Sequence, residues 1–173
     1  MDDWLYCLRV DSVTAERGVD VDESVFTKHR ELNAHRFKII QASLIIEHHL
    51  ATFVAKYLFN ERTEQSDFFQ SHIIRSDLIS FSGRKRLVLE IIEKENLLSG
   101  SEKNDFNKLL AKILRYRNAF THGNFVERPS GVLLEYYEGG KRTKELGEPY
   151  FIEINGDFFS YYKIWDEVFK FVQ

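Results

Sequence analysis

The sequence has little of the chemistry that cross-links small proteins. It contains one cysteine, Cys7, and two prolines among its 173 residues. A single cysteine excludes an internal disulfide and a zinc site built from several cysteines. At this length roughly 70% of the surface of the unfolded chain is buried on folding, so a hydrophobic core can form without such cross-links. We therefore predict one ordinary domain over residues 1–173.

Long apolar runs and common enzyme motifs are also missing. No stretch approaches the roughly 20 apolar residues that cross a bilayer, and the acidic start at Asp2 and Asp3 lacks the basic region of a signal peptide. We therefore expect a cytoplasmic protein without a membrane partner. The sequence contains no Gly-rich phosphate loop, dinucleotide fingerprint, nucleophile elbow or His-Glu-x-x-His pair. His48 and His49 point about 100° apart on a helix and do not share an ion, so no metal or other cofactor is expected.

Charge is nearly balanced overall but unevenly distributed. The net charge is −3, whereas residues 103–122 carry five basic side chains and one acidic side chain. A local excess of positive charge attracts anions even on an acidic protein. This segment is therefore the first place to look for an anionic partner.

Helical periodicity dominates the middle of the chain. Apolar residues recur every seven positions over residues 33–59, which predicts a long amphipathic helix. Further helices are predicted over residues 66–76, over 84–97 after a cap at 80–83, and from a cap at Ser101 to His122. The predicted buried side chains of these helices are Phe37, Ile40, Leu44, Ala51, Val54, Leu58, Leu87, Ile91, Leu98, Phe106, Leu109, Leu110, Ile113, Leu114 and Phe120.

The C-terminal third predicts a small β structure before a last helix. Residues 132–137 resemble a strand, Gly139 and Gly140 a hairpin turn, and residues 150–154 a returning strand. Residues 155–157 predict the cap of the last helix, whose apolar seam is Phe158, Tyr162, Trp165, Phe169 and Val172. A short strand is predicted over residues 4–10, followed by irregular chain to 24. The fold class is therefore mainly α, a helical bundle of four to six helices with a small β-hairpin before the last helix.

Residues 117–123, Arg-Asn-Ala-Phe-Thr-His-Gly, have the composition of a functional site. On a helix Asn118 and His122 share one face, whereas Arg117 and His122 point about 140° apart. Arg117 and His122 converge only if the last turn unwinds before Gly123, where a left-handed stop is expected, or if two copies meet. Arg117 also replaces an apolar residue on the predicted buried face, so it needs a partner. An ion pair with Glu47 and a bound anion are both open.

His122 and Asn118 each have a functional and a structural interpretation. The negative end of the helix dipole favours a cationic imidazole at His122, which suits proton transfer near neutral pH. Alternatively, His122 caps the helix. Asn118 either orients the imidazole or a phosphate, or bonds a carbonyl within the helix.

This segment resembles the signature of the HEPN superfamily (higher eukaryotes and prokaryotes nucleotide-binding domains). That signature is an Arg, a polar residue next to it, and a His four to six residues further on. Here the Arg is Arg117, the polar neighbour is Asn118, and the His is His122, with four residues between Arg117 and His122. Similar members are small helical bundles with a long early helix and the signature near the end of a later one. The resemblance covers roughly residues 33–122 and the last helix, and leaves residues 1–24 as an N-terminal extension and 124–154 as a β insertion. Many similar members are metal-independent endoribonucleases. They dimerise so that the two signatures face one cleft, and they often act as toxins or in phage defence with a neutralising partner.

The resemblance implies that RNA is cleaved by its own ribose 2′-OH, leaving 2′,3′-cyclic phosphate and 5′-OH ends. His122 would transfer protons, Arg117 would hold the phosphorane oxygens, and Asn118 would position one or the other. The remaining candidates are an RNA-contacting set and a supporting pair: Arg84, Lys85, Arg86, Lys112 and Arg115, then Glu47 and Thr121. A solvated helix face is the alternative for the basic triplet 84–86. For the whole protein, the alternative is a non-catalytic module that binds nucleotide or RNA or assembles with another protein.

Overall fold

The structure is a computed structural model that describes residues 23–59, 63–75, 78–128 and 131–173. The chain divides into two units, Met1–Phe37 and Lys38–Gln173, and the core and the candidate site belong to the second. The predicted strand over residues 4–10 and Cys7 lie outside the described residues. None of the helices in the described ranges is long and apolar enough to cross a membrane.

The architecture is mainly helical, with a small antiparallel sheet before the last helix, as the sequence predicts. The helices are α1 (Glu23–Leu58), α2 (Glu64–Phe68), a π-helical segment (Phe69–Ile74), α3 (Phe81–Lys94), α4 (Gly100–His122) and α5 (Glu148–Phe169), which a short 3-10 turn (Lys170–Val172) follows. Between α4 and α5 lie β1 (Asn124–Arg128), β2 (Gly131–Tyr137) and β3 (Lys141–Glu145), in the order β1-β2-β3.

The buried face of α1 differs from the predicted one. Phe37, Leu44 and Leu58 are exposed, although Ala51 and Val54 are buried as expected. The buried seam runs through Ile39, Ser43, Ile46, Leu50 and Phe53. The sequence pattern did not indicate this seam, because the polar residue Ser43 interrupts its apolar residues. In the structure the buried Ser43 hydroxyl donates a hydrogen bond to the Ile39 carbonyl at 2.8 Å. The helix also begins ten residues before the predicted start, inside the segment predicted to be irregular.

The predicted helices on either side of residue 99 are confirmed with small corrections. Ser80 caps α3 by accepting from the Gly83 N–H at 3.2 Å. Leu87, predicted to face inward, is exposed, because the buried face of α3 runs instead through Phe81, Arg84, Val88, Ile91 and Ile92. The predicted buried residues of α4 are confirmed at Phe106, Leu109, Leu110, Ile113 and Phe120, and Leu114 is partly buried.

The cap of α4 is Ser99 rather than the predicted Ser101. Ser99 Oγ accepts from the Glu102 N–H at 3.3 Å, and the Glu102 carboxylate accepts from the Ser99 N–H at 2.9 Å. We expect Ser99→Ala to lower the free energy of unfolding by about 1 kcal/mol, since one capping partner of a reciprocal pair is lost. Ser101→Ala is the matched control and should change it by less than about 0.5 kcal/mol. Urea denaturation of both variants decides between the two caps, and a larger loss in the Ser101 variant would contradict the assignment.

The predicted hairpin exists, but its second strand is different. Gly139 and Gly140 adopt φ angles of 61° and 151°, as a tight turn requires. The strand that returns is β3, which pairs with β2 from Tyr137↔Lys141 to Leu133↔Glu145. All five residues of β3 are exposed, so the alternation of apolar and polar residues that marks a strand is missing. β1, which was not predicted, pairs with the other edge of β2.

The last helix begins earlier than predicted. Residues 150–154, predicted as a strand, and 155–157, predicted as a cap, lie inside α5. Pro149 falls in its first turn, where a fixed φ favours the helix and no donor is lost. The aromatic residues that favour a strand pack here as a helical seam, because tertiary burial outweighs local β preference. The buried seam is Ile154, Phe158, Tyr161, Trp165 and Val168, whereas Tyr162, Phe169 and Val172 of the predicted seam are partly buried.

Candidate functional site

The end of α4 passes directly into the sheet at Gly123. This glycine has an extended backbone, with φ −81° and ψ 159°, so the predicted left-handed stop is wrong. Close packing explains the glycine instead. A Cβ at this position would lie 2.3 Å from the Ala119 carbonyl oxygen and 2.9 Å from the Glu135 carbonyl oxygen. β2 therefore packs against the last turn of α4 and holds it in a helical conformation up to His122.

Asn118 and His122 lie one turn apart on an exposed face of α4. Both side chains are exposed, as is that of Thr121. Within the described ranges neither the Asn118 nor the His122 side chain forms a hydrogen bond or an ion pair. The helix stays regular to His122, so the predicted separation of about 140° between Arg117 and His122 applies to a single copy of the chain.

Arg117 forms the ion pair that the sequence left as one alternative. Its Nη2 lies 3.5 Å from Oε2 of Glu47 in α1, and its side chain is 31% exposed. Glu47 itself is 16% exposed, so this carboxylate lies near the edge of the core beside the signature. The pair accounts for a guanidinium on an otherwise apolar line of α4.

Arg84 is the unexpected member of this region. It is buried at 5% exposure, which rules out the direct RNA contact predicted for it. Its Nη1 donates to Oε1 of Glu47, and its Nε donates to the carbonyl of Ile74 at the end of the π-helical segment. One carboxylate thus bridges two arginines. The burial of Arg84 could have been predicted from its spacing to Phe81 and Val88 on α3, because residues i, i+3 and i+7 share one helix face.

The other basic candidates remain at the surface with acidic or polar partners. Lys85 donates to Asn107 at 2.9 Å, and Arg86 lies 3.7 Å from Glu90. Arg115 is 53% exposed and lies 4.0 Å from Glu138. Exposed pairs of this kind contribute little to stability. These three side chains can exchange such partners for phosphates.

Comparison with known proteins assigns the chain to no family. No protein-family model, curated protein or solved structure matches the chain. In the ranges that the structure describes, no group of three or more His, Cys, Asp or Glu side chains is arranged to hold a metal ion.

Lys112, another predicted RNA contact, belongs instead to a polar cluster between α4 and α5. Its Nζ donates to Asp157 at 3.0 Å and lies 3.5 Å from Glu153. The Tyr116 hydroxyl donates to the same Asp157 carboxylate at 2.6 Å. The hydrogen bond to Asp157 raises the pKa of Lys112. Burial, aided by Asp157, raises the pKa of Tyr116 strongly. The cluster therefore joins α4 to α5, and the Lys112 ammonium group is paired with the carboxylates of α5.

The raised pKa values of the cluster predict a loss of stability in alkali. In the unfolded chain Tyr titrates near pH 10 and Lys near 10.4. Both groups keep their protons to higher pH when folded, so the native state binds more protons above pH 10 and the free energy of unfolding falls there. Tyr116→Phe should reduce this fall by up to about 1.4 kcal/mol per pH unit, one proton's share. Urea denaturation at pH 8 and 10.5 measures the change, and an unchanged slope would contradict the assignment.

His48 and His49 separate as adjacent helical residues do. His48 is exposed and lies 3.3 Å from Arg75. His49 stacks on Trp165 with ring centroids 5.7 Å apart, and burial lowers its pKa. A neutral ring suits this aromatic contact, so His49 is part of the packing between α1 and α5.

Proposed function

We propose that the chain is a metal-independent endoribonuclease of the HEPN type. The observation that supports this proposal is the position of Asn118 and His122, whose exposed side chains lie on one face at the end of a regular helix. Arg117, next to Asn118 in the same helix, is held by an ion pair with Glu47. An imidazole, a carboxamide and a guanidinium there supply proton transfer, positioning and phosphate binding.

Cleavage would proceed by attack of the ribose 2′-oxygen on the adjacent phosphorus while the 5′-oxygen leaves. One proton is removed from the 2′-OH and one is delivered to the 5′-oxygen, so the products are a 2′,3′-cyclic phosphate and a 5′-OH. His122 is assigned to proton transfer because histidine exchanges protons near neutral pH. Arg117 is assigned to the non-bridging oxygens because its fork of donors matches phosphate. Lys85, Arg86 and Arg115 would contact the RNA backbone.

A homodimer with a composite site belongs to the same proposal. Arg117 and His122 diverge on one helix, so a second copy is needed to bring both to one phosphate. Exposed apolar residues beside the site support this arrangement. Leu44 on α1 and Leu87 on α3, the helices that carry Glu47 and Arg84, are exposed apolar side chains that a second copy could cover. A cytoplasmic toxin or phage-defence role with a neutralising partner is also proposed.

The ion pair between Arg117 and Glu47 also supports a second candidate function. A guanidinium engaged by a carboxylate has a structural role already. The chain would then be a non-catalytic module that binds RNA or nucleotide, or that assembles with another protein, through the surface around Asn118.

Cleavage of a mixed RNA pool in EDTA tests the two candidates. The wild-type protein, Arg117→Ala and His122→Ala are compared, and the product ends are analysed for 2′,3′-cyclic phosphate. Cleavage by the wild type that both substitutions abolish supports the ribonuclease. No cleavage by the folded wild type, together with RNA binding, supports the module. Cleavage that persists in His122→Ala would contradict the assigned mechanism.

A further inference from the structure

A partly buried carboxylate shared by two arginines lies beside the candidate site. We propose that Arg84 is a positioning residue for Arg117 and acts on it through Glu47, which rests on the proposed ribonuclease function. Arg84, Glu47 and Arg117 are called the arginine–glutamate cluster below. Arg84 does not touch RNA in this proposal, since its side chain is 6% exposed.

The charge of the cluster is the first argument. Oε1 of Glu47 accepts from Arg84, and Oε2 lies 3.5 Å from Arg117, so one negative charge is shared by two positive charges. Arg117 is the most exposed of the three, at 31% against 6% for Arg84 and 16% for Glu47, so a phosphate would reach the cluster at Arg117. Without Arg84, Glu47 would neutralise Arg117 and compete with a phosphate for it.

The anchoring of Arg84 is the second argument. Its Nε donates to the carbonyl of Ile74, where the π-helical segment ends. Its backbone N–H is bonded to the Ser80 carbonyl at 2.9 Å in the first turn of α3. Arg84 is therefore held by two elements, and it fixes the Glu47 carboxylate against which Arg117 rests. A guanidinium that is already oriented loses less entropy when a phosphate binds.

Binding to an uncleavable RNA tests this role. The probe is a mixed-sequence 2′-O-methyl RNA 20-mer, and its dissociation constant is measured by fluorescence anisotropy at one salt concentration. We expect Arg84→Met to weaken binding about 10-fold, because the cluster loses its net positive charge. The double variant Arg84→Met/Glu47→Gln restores a single positive charge and should return to within about 3-fold of the wild type. Arg84→Lys keeps the charge but offers one ammonium group to the two acceptors that Arg84 bridges, so its affinity should lie between those of the wild type and Arg84→Met.

The kinetic constants KM and kcat distinguish the effect of the cluster's charge from its effect on the position of Arg117. On cleavable RNA, Arg84→Met should raise KM, whereas Glu47→Gln should lower kcat without raising KM, because Arg117 keeps its charge but loses its support. Arg75→Met is the matched control. It removes an arginine that contacts His48 rather than Glu47, and it should leave binding and cleavage within about 2-fold of the wild type, since exposed side chains rarely matter more.

Several outcomes would overturn the proposal. They are wild-type affinity in folded Arg84→Met, no recovery in the double variant, or an equal loss in Arg75→Met. If Arg84→Met does not fold, the decision falls on Arg84→Gln, which removes the charge but keeps a polar side chain and should also weaken binding about 10-fold; wild-type affinity in that variant would overturn the proposal. A wild-type protein that neither binds nor cleaves RNA would refute the proposed function instead. The positioning role is then judged by 15N relaxation of the Arg117 side chain, which should be restricted in the wild type and more mobile in a folded variant that lacks the Arg84 guanidinium; equal mobility in the two would overturn it.

Discussion

Replacing Gly123 with alanine is expected to destabilise the protein by about 3 kcal/mol or more, because the added Cβ collides with fixed atoms. It would lie 2.3 Å from the Ala119 carbonyl oxygen, 2.7 Å from Cδ1 of Leu134 and 2.9 Å from the Glu135 carbonyl oxygen. Two of these atoms belong to backbone, in α4 and in β2, so neither moves without breaking helix or sheet hydrogen bonds. The free energy of unfolding from urea denaturation measures the loss.

Gly156→Ala is the matched control for this prediction. Gly156 lies inside α5, and no heavy atom stands within 4 Å of a Cβ built there. Alanine favours a helix over glycine, so this variant should be more stable by about 0.5–1 kcal/mol. A Gly123→Ala protein as stable as the wild type would mean that β2 does not pack against the end of α4. The position of Asn118 and His122 would then be open again.

Local sequence signals predicted the elements that local chemistry determines. Ser80 before α3 and the two glycines of the hairpin turn are confirmed, because capping and positive φ depend on a few adjacent residues. The buried residues of α4 are confirmed as well, since its apolar stripe is continuous. These elements needed no knowledge of what packs against them.

The errors in the predicted fold arose where tertiary packing outweighs local preference. α1 is apolar around much of its circumference, and Ser43 in the buried seam made the stripe of Phe37 and Leu44 look more regular. The first turns of α5 contain aromatic residues typical of strands, but their helical spacing fits the core. β3 has no buried residue, so nothing in its pattern marks a strand.

The candidate site was predictable only in part. The spacing of Asn118 and His122 gave their common face, and Glu47 was named as one possible partner of Arg117. The burial of Arg84 was not predicted, because Arg84, Lys85 and Arg86 together look like a solvated basic surface. Arg84 donates to the Ile74 carbonyl and to Glu47, which belong to other elements of the fold and so do not show in the local sequence.

Replacing His122 with alanine is expected to lower kcat for RNA cleavage about 10²–10⁴-fold, the usual contribution of one general acid or base. KM should change little, because His122 moves protons and Arg117 holds the phosphate. The free energy of unfolding should stay within about 0.5 kcal/mol, since the side chain is exposed. Initial rates on a defined RNA across pH 5–9 measure the effect, and one limb of the pH profile should disappear in the variant.

His72→Ala is the matched control, because His72 is also exposed but lies in the π-helical segment, 4.8 Å from the Phe68 ring between centroids. It should cleave at the wild-type rate. Equal losses in the two histidine variants would mean that cleavage depends on overall charge or folding rather than on α4. A His122→Ala protein that keeps its rate and its pH profile would remove the imidazole from the mechanism. The exposed pair at the end of α4 would then support binding and not catalysis.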